Sequence, residues 1–361
     1  MEQKSFTIQK IAHLFIVIVL GYIILTRGKF ILAPLSFSLL LTVMLQPLCN
    51  FYERLLKYKV PAILLTLLTV LVIVGTIVTL FSFQLTSIIN NLENITDKLS
   101  EGLQRILDWL NQNLRLEESD LKQNIPKLVE NSVSFVQKGI TSVTSFIFSL
   151  FFVILLIFFE LWYQNDFKKF LIIQAPKHSR EKLNDIISKI KSTMQKYLYG
   201  LLIVIGILAV LNSVGLLIIG IDYAIFWGVL AAFLAVIPYI GTTLGGTLPF
   251  LYTVATTDNW WQPVAVVSMY IVIQNIEGNI ITPKVVGSSV SINPMMALIS
   301  IIVGGFIWGI SGIVLAIPII GIVKIILNHN ERTKPVAFML SNKIHSQGEK
   351  FWKDMEKEKD S

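Results

Sequence analysis

The strongest constraint in this sequence is a long block that is almost free of charge. Between Tyr197 and Val323, only Asp222, Asp258, Glu277 and Lys284 carry a charge among 127 residues. A soluble domain covers its surface with polar and charged side chains, whereas a helix that crosses a bilayer needs about 20 mostly apolar residues. The block therefore predicts several membrane helices rather than a cytosolic fold.

The composition of the whole chain agrees with a membrane protein. Of its 361 residues, 54% are hydrophobic and 15% are charged, and the formal net charge is +7. The basic residues flank apolar runs, which favours contact with anionic lipid headgroups over nucleic acid. The single cysteine, Cys49, and four scattered histidines supply neither a disulfide nor a metal cluster. We therefore expect the lipid bilayer as a partner, no nucleic acid and no cofactor.

Hydropathy and charge divide the chain into six segments. Three predicted membrane helices come first, followed by an amphipathic helical segment outside the membrane, a fourth membrane helix, a basic cytoplasmic loop, a transmembrane transport region with broken helices, and a charged cytoplasmic tail. Their bounds are 1–83, 84–141, 142–165, 166–196, 197–327 and 328–361.

The basic loop sets the predicted orientation. It carries eight bases against three acids between Asp166 and Lys196, and such loops stay on the cytoplasmic side. Counting helices from this loop predicts cytoplasmic N- and C-termini and places segment 84–141 outside. We therefore predict a multi-pass protein of the cytoplasmic membrane.

The segment 84–141 has apolar residues at steps of three and four, from Leu85 to Leu114, which is typical of an amphipathic helix. Its apolar stripe either packs on the protein's own helices or forms the seam of an oligomer. A homo-oligomer is expected, with a subunit number that the sequence does not give.

Glycine and proline are concentrated in the same uncharged block. A helix break inside hydrocarbon leaves backbone N–H and C=O groups without partners, and it is tolerated where these groups line a pathway. The glycine pairs Gly241/Gly245 and Gly305/Gly309 fit close helix packing equally well, but packing does not explain the prolines. We take Pro238, Gly241, Pro283 and Pro294 as the predicted helix breaks.

Two polar segments stand out, one from Pro238 to Thr242 and one from Gln274 to Pro283. The second segment supplies the candidate pathway residues. Its only carboxylate is Glu277, which is the candidate for the residue that couples movement of a solute to movement of an ion. The alternative is that Glu277 pairs with Lys284. The candidate polar contacts are Gln274, Asn275 and Asn279.

Ordered motifs over most of the chain resemble the AI-2E transporter family, also called the autoinducer-2 exporter family. They are Ala33-Pro34-Leu35, Leu45-Gln46-Pro47-Leu48, Tyr199-Gly200-Leu201-Leu202, the run from Gly215 to Ala224, Ile237-Pro238-Tyr239-Ile240-Gly241, the run from Gln274 to Pro283, Asn293-Pro294, Gly304-Gly305, Gly309-x-x-Gly312 and Leu315-Ala316-Ile317-Pro318.

The resemblance implies an all-α polytopic transmembrane bundle of about eight spans, with broken or re-entrant helices in the C-terminal half, in a bacterial inner membrane. It also implies secondary transport, either export of a small polar molecule such as the quorum-sensing signal autoinducer-2 or exchange of an ion, coupled to a proton or sodium gradient. Thr242 and Asn293 stand where the family commonly has a proline and a histidine, which leaves the substrate open.

Other functions fit the sequence less well. No phosphate-binding G-x-x-x-x-G-K-[ST] loop is present, which argues against ATP-driven transport. Ser311 lies in a G-x-S-G motif like that of intramembrane proteases, but His329 and His345 lie at the membrane edge or in the tail, so we predict no enzyme. A passive channel or a membrane scaffold remains the alternative to coupled transport.

Overall fold

The computed structural model describes residues 2–91, 98–105, 143–238, 240–287, 290–342 and 344. Within these ranges the chain is helical, and the only β-pairing is a bridge between Ile292 and Ser341. The helices are α1 (Glu2–Arg27), α2 (Lys29–Leu56), α3 (Lys59–Asn91), α4 (Val143–Gln174), α5 (Arg180–Ile219), α6 (Ala224–Leu234), α7 (Ile240–Thr256), α8 (Trp261–Ile276), α9 (Thr282–Val285), α10 (Pro294–Trp308), α11 (Ile310–Asn328) and α12 (Lys334–Met339).

Several of these helices have the length and composition of membrane spans. In the described ranges, six helices are long and apolar enough to cross a bilayer, and three shorter apolar helices accompany them. The six cover Lys29–Leu56, Lys59–Ile88, Leu150–Gln174, Lys177–Ile219, Trp261–Val285 and Ile310–Asn328, and the shorter ones cover Phe15–Arg27, Ala224–Leu234 and Pro294–Trp308. The predicted all-α polytopic bundle is confirmed.

The chain folds into two compact units. The first comprises residues 1–63, 152–198 and 288–361, and the second comprises 64–151 and 199–287. In the first unit, Ala33, Trp308 and Leu315 form a buried cluster between α2, α10 and α11, and Cys49 is 1% exposed. In the second unit, a larger core surrounds Leu216 and Val266, both fully buried.

Helices α10 and α11 form a hairpin in the first unit. Gly309 alone joins them with φ at 64°, a left-handed conformation that glycine adopts at little cost. Gly304 and Gly312 face each other so closely that a Cβ on either would overlap the other's carbonyl oxygen. Asn293 caps α10, accepting a 2.9 Å hydrogen bond from the N–H of Met295.

Helices α6 and α7 form a second hairpin, in the second unit. A short turn that contains Pro238 joins them, and α6 has only 11 residues, or about 16 Å of helix, too short for a hydrocarbon core of about 30 Å. A Cβ on Gly241 would overlap the carbonyl oxygen of Leu234, and Gly245 packs against Ala231. Close packing therefore accounts for both glycines of this pair.

For the other glycine pair, Gly305/Gly309, the structure differs from the predicted packing. Gly304 makes the close helix contact with Gly312, whereas Gly309 forms the turn of the hairpin. A spacing of four residues allows packing on one helix face, but here the second glycine lies beyond the end of α10.

The basic segment 166–196 is almost entirely helical. Helix α4 continues to Gln174 and α5 begins at Arg180, so only a turn with the 3₁₀ helix Lys177–Ser179 separates them. Because Lys and Arg are good helix formers, a basic stretch extends a helix beyond its membrane part as readily as it forms a loop.

Most of the predicted amphipathic segment 84–141 lies outside the described residues. Residues 98–105 are helical, and Leu99 is buried against Val254 and Ala255 of α7. Gly102 permits the approach, since a Cβ there would overlap the carbonyl oxygen of Val254. This part of the stripe packs on the protein's own helix. The tail beyond residue 344 also lies outside the described residues.

Candidate solute pathway

A cavity of about 510 Å³ lies between α7 and α8 in the second unit. It brings together the two polar segments of the sequence, since Thr242 and Thr243 line one wall and Gln274 and Asn275 the other. None of the described residues that line it is charged. The remaining lining residues are Gly246, Thr247, Phe250, Val267, Tyr270 and Ile271. We call this space the α7–α8 cavity.

The amide groups of α8 leave hydrogen-bond acceptors at the cavity. Gln274 donates from Nε2 to Glu277 Oε2 at 2.7 Å, and Asn275 donates from Nδ2 to the carbonyl oxygen of Ile271 at 2.8 Å. Among the described residues, Gln274 Oε1 and Asn275 Oδ1 have no partner. An amide oxygen that is not satisfied by the protein accepts hydrogen bonds from water or a solute.

The hydroxyl group of Tyr270 is a further unsatisfied group at this cavity. It is buried and has no hydrogen-bond partner within the described part of the chain. A buried polar atom without a partner costs about 1 to 3 kcal/mol, and such atoms in native proteins call for a functional explanation. A polar solute or water in the cavity would provide one.

Glu277 is not among the residues that line the cavity. Its carboxylate accepts hydrogen bonds from Gln274 and from the hydroxyl of Thr282, and these are its partners among the described residues. The predicted alternative, an ion pair with Lys284, is therefore absent from the described structure. Asn279 also stays outside the cavity lining and donates to the backbone oxygen of Asn275 at 2.9 Å.

The expected break before Pro283 takes a different form. Residues Glu277–Ile281 form a π-helical turn that runs directly into α9, so the helix widens and continues. A proline ring clashes with the carbonyl four residues earlier, and the wider turn relieves that clash. π-Helical turns are frequent at functional sites.

The other three predicted helix breaks lie in a turn between helices or at the start of a helix. Pro238 lies in the turn of the α6–α7 hairpin, Gly241 lies in the first turn of α7, and Pro294 is the first residue of α10. Of these, Pro238 and Gly241 lie next to the cavity in sequence, whereas Pro294 belongs to the first unit.

A second, charged cavity of about 580 Å³ lies at the other end of α7. Asp222 and Asp258, two of the four charges in the apolar block, line it together with Arg105, which forms an ion pair with Asp258. Lys98, Glu101, Tyr223, Tyr252, Ala255 and Thr256 complete the lining. Charged side chains indicate that this cavity is open to water.

The structure gives no support to the protease motif. Ser311 is the second residue of α11, and His329 follows the last residue of that helix, so about 27 Å of helix separates them. His329 instead contacts the carbonyl oxygen of Ile325 and the carboxylate of Asp185. His345 lies outside the described residues.

The sequence interpretation missed Glu160, which lies in α4 within the candidate span Leu150–Gln174. A single acid inside an apolar run is the sequence signal that would have identified it, since such residues are rare and usually functional.

Comparison with known proteins identifies the class of protein. A family model described as AI-2E family transporter matches residues 13–332, and this chain belongs to that family. It is thus a multi-pass membrane transport protein.

Several relatives align over most of their length. YueF of Bacillus subtilis is 26% identical over 83% of this chain and 87% of its own. The AI-2 transport protein TqsA of Escherichia coli K12 is 24% identical over 91% of this chain and 95% of its own. YhhT of the same strain is 21% identical over 86% and 88% of the two chains.

Proposed function

We propose that this protein is a secondary transporter that exports a small polar solute through the α7–α8 cavity, driven by a proton or sodium gradient. The observation that carries the proposal is the meeting of two polar segments at one cavity between the neighbouring helices α7 and α8, with no charged residue in its described lining. A volume of about 510 Å³ lies within the usual range for small-molecule sites.

The groups at the cavity favour an uncharged solute that carries hydroxyl groups. Gln274 and Asn275 offer amide oxygens as acceptors, and Thr242 and Thr243 contribute hydroxyls, while Phe250 contributes apolar surface. A permanently charged solute would have no counter-charge in the described lining and would pay a large desolvation cost. Because the relative TqsA is named an AI-2 transport protein, autoinducer-2 is the first solute to test.

Glu277 is our candidate for the coupling residue. Its carboxylate holds the side-chain nitrogen of Gln274, so a change in the charge of Glu277 would alter a residue that lines the cavity. A π-helical turn begins at Glu277, directly after α8. Such turns are frequent at functional sites, and we propose that this one changes conformation when the charge of Glu277 changes.

We further propose an inner-membrane location with both termini in the cytoplasm, and a homo-oligomeric assembly. The excess of bases in segment 166–196 supports the orientation. A fluorescent protein fused after residue 361 should fluoresce in cells, whereas alkaline phosphatase fused within 98–105 should be active. The mass of the detergent-solubilised protein by light scattering tests the assembly, and a monomer would contradict it.

The transport test is efflux of autoinducer-2 from proteoliposomes, with and without an imposed pH or sodium gradient. Wild type is compared with Glu277→Gln, Gln274→Leu and the control Ser268→Ala, which changes a polar residue of α8 outside the cavity lining. We expect gradient-driven efflux in wild type and in the control, with a loss of at least about tenfold in the cavity variant.

The outcomes separate the competing functions. Efflux that persists equally when an ionophore collapses the gradient would indicate a passive channel. Equal coupled efflux in Glu277→Gln and wild type would remove Glu277 from coupling. No flux above protein-free liposomes for autoinducer-2 or for a panel of small polyols would favour the scaffold.

A further inference from the structure

Glu160 is a carboxyl group inside a membrane helix. It is the only charged residue between Lys138 and Asp166, and it belongs to a candidate span that covers Leu150–Gln174. A charged side chain within hydrocarbon is costly, and such residues mark ion pathways or proton relays more often than they serve packing.

The partners of Glu160 show how deep it lies. Ser38 and Thr42 of α2 contact its carboxyl group, and α2 is free of charge from residue 30 to residue 52, a run of 23 residues or about 35 Å. Ser38 and Thr42 lie about 12 and 18 Å along this run. The carboxyl group of Glu160 therefore meets α2 near the middle of its apolar stretch.

The contacts are short and involve both carboxyl oxygens. Ser38 Oγ lies 2.7 Å from Glu160 Oε1, and Thr42 Oγ1 lies 2.7 Å from Glu160 Oε2. Ser38 is fully buried and Thr42 is 7% exposed. These are hydrogen-bond distances between oxygen atoms, and they leave no room for a metal ion between the hydroxyls and the carboxyl group.

A count of hydrogen atoms favours the neutral acid. Ser38 has one hydroxyl hydrogen but lies within hydrogen-bond distance of two oxygens, Glu160 Oε1 and the carbonyl of Leu35 at 2.9 Å. A charged carboxylate donates nothing, so one of these contacts would lack a hydrogen. A protonated Glu160 donates to Ser38, which frees Ser38 to donate to Leu35, and Thr42 donates to the other oxygen of Glu160.

Polar side chains of the neighbouring helices α3 and α5 bond to backbone oxygens and give no counter-charge to a Glu160 carboxylate. From α3, Lys59 donates from Nζ to the backbone oxygen of Trp162 at 2.5 Å, and from α5, the neutral Gln195 donates to the backbone oxygen of Val43 at 2.9 Å. Glu160 has no ion pair among the described residues, and α2 contributes only hydroxyls to it. A buried carboxylate without a counter-charge is strongly unfavourable.

We propose that Glu160 is a proton-binding site inside the membrane, held in position by Ser38 and Thr42. Binding takes one proton from water and converts the carboxylate to the neutral acid, and release returns the proton to water and leaves the carboxylate. The site lies in the first unit, whereas the residues of the α7–α8 cavity belong to the second. Its test measures no transport, so failure of the proposed export function would not affect it.

The test is infrared difference spectroscopy of the full-length protein in lipid vesicles, acidic minus alkaline, in H₂O and D₂O. Every carboxyl group that takes up a proton contributes a C=O band, so the band of Glu160 is obtained by subtracting the Glu160→Gln spectrum from that of wild type. This double difference should contain a C=O band that shifts in D₂O, that is unchanged when both proteins also carry Glu277→Gln, and that moves with Ser38→Ala and Thr42→Val, which each remove one hydrogen bond. A double difference without such a band would overturn the proposal.

A second measurement uses wild-type protein alone and does not depend on whether the variants fold. A carbodiimide reacts with protonated carboxyl groups in apolar surroundings, and mass spectrometry locates the adduct. We expect an adduct on Glu160 that declines as the pH rises and that sodium chloride leaves unchanged. Protection by sodium at constant pH would show a sodium site instead, and wild type with neither an adduct nor the infrared band would refute the proposal.

Discussion

The α6–α7 and α10–α11 hairpins use the same packing device beside cavities of different character. Glycine allows close backbone contact in both, at Gly241 against Leu234 in the α6–α7 hairpin and at Gly304 against Gly312 in the α10–α11 hairpin. The cavity beside α7 carries free amide oxygens. The cavity of about 260 Å³ beside α10 is apolar except for Ser300 and Trp308.

The polar groups of the α10–α11 cavity are already satisfied. Ser300 donates to the backbone oxygen of Met296 at 2.7 Å, and Trp308 donates from Nε1 to the backbone oxygen of Leu25 at 2.9 Å. The comparison teaches that short helices and glycines do not by themselves mark a pathway. Unsatisfied polar groups that face a cavity are the groups that gain a hydrogen-bond partner when a solute enters.

The largest effect is expected from filling the close contacts. Gly241→Ala and Gly312→Ala place a Cβ on a backbone oxygen, so each should reduce stability by about 1 to 3 kcal/mol or prevent folding. Gly75→Ala is the matched control in α3, where nothing lies within 4 Å, and it should be neutral or stabilise by about 0.5 to 1 kcal/mol. Thermal unfolding in detergent measures all three, and equal midpoints would show that the contacts are not tight.

The next effect separates the two cavities by transport. Asn275→Leu removes an acceptor at the α7–α8 cavity and should reduce autoinducer-2 efflux about tenfold, the value of one hydrogen bond of about 1.4 kcal/mol. Ser300→Ala, in the α10–α11 cavity, should leave efflux unchanged. The reverse pattern would place the pathway in the α10–α11 hairpin.

A smaller effect concerns the start of α10. Asn293→Ala removes the N-cap and should reduce stability by about 1 kcal/mol, while Asn293→Ser should keep most of it because serine also caps. The thermal midpoint of the purified protein is the readout. If both variants lose the same stability, the Asn293 side chain contributes by another route.

The smallest effect is expected at the charged cavity. The side chains of Arg105 and Asp258 are 49% and 97% exposed, so their ion pair is worth less than about 1 kcal/mol. Arg105→Gln should shift the thermal midpoint slightly at low salt and not at all in high salt. A large shift would mean that Arg105 holds segment 98–105 onto α7.

The sequence predicted the parts of the fold that local composition decides. Apolar runs predicted the membrane helices. The polar residues around Thr242 and Gln274 predicted the two walls of the cavity, because polar groups in a bilayer must face a pathway or protein. The pairing of these walls follows from the packing of α7 on α8, which composition alone does not encode.

The parts that were missed depend on tertiary contacts. Glu160 meets Ser38 across 122 residues, so no local pattern links them. A helix that meets Pro283 can either widen into a π-helical turn or break. The sequence does not distinguish these two outcomes, because the packing of neighbouring residues decides between them. Likewise, the partner of Gly304 proved to be Gly312 on the next helix, which spacing within one helix does not reveal.

The burial of Cys49 gives the protein a practical advantage for spectroscopy. This side chain is 1% exposed within α2, and it is the only thiol in the chain. Thiol reagents react with exposed thiolates, so the native protein should remain almost unlabelled. A cysteine introduced at Thr243, an exposed residue of the α7–α8 cavity, would then be the single reactive position, and a fluorophore there would report solute entry without removal of the native thiol.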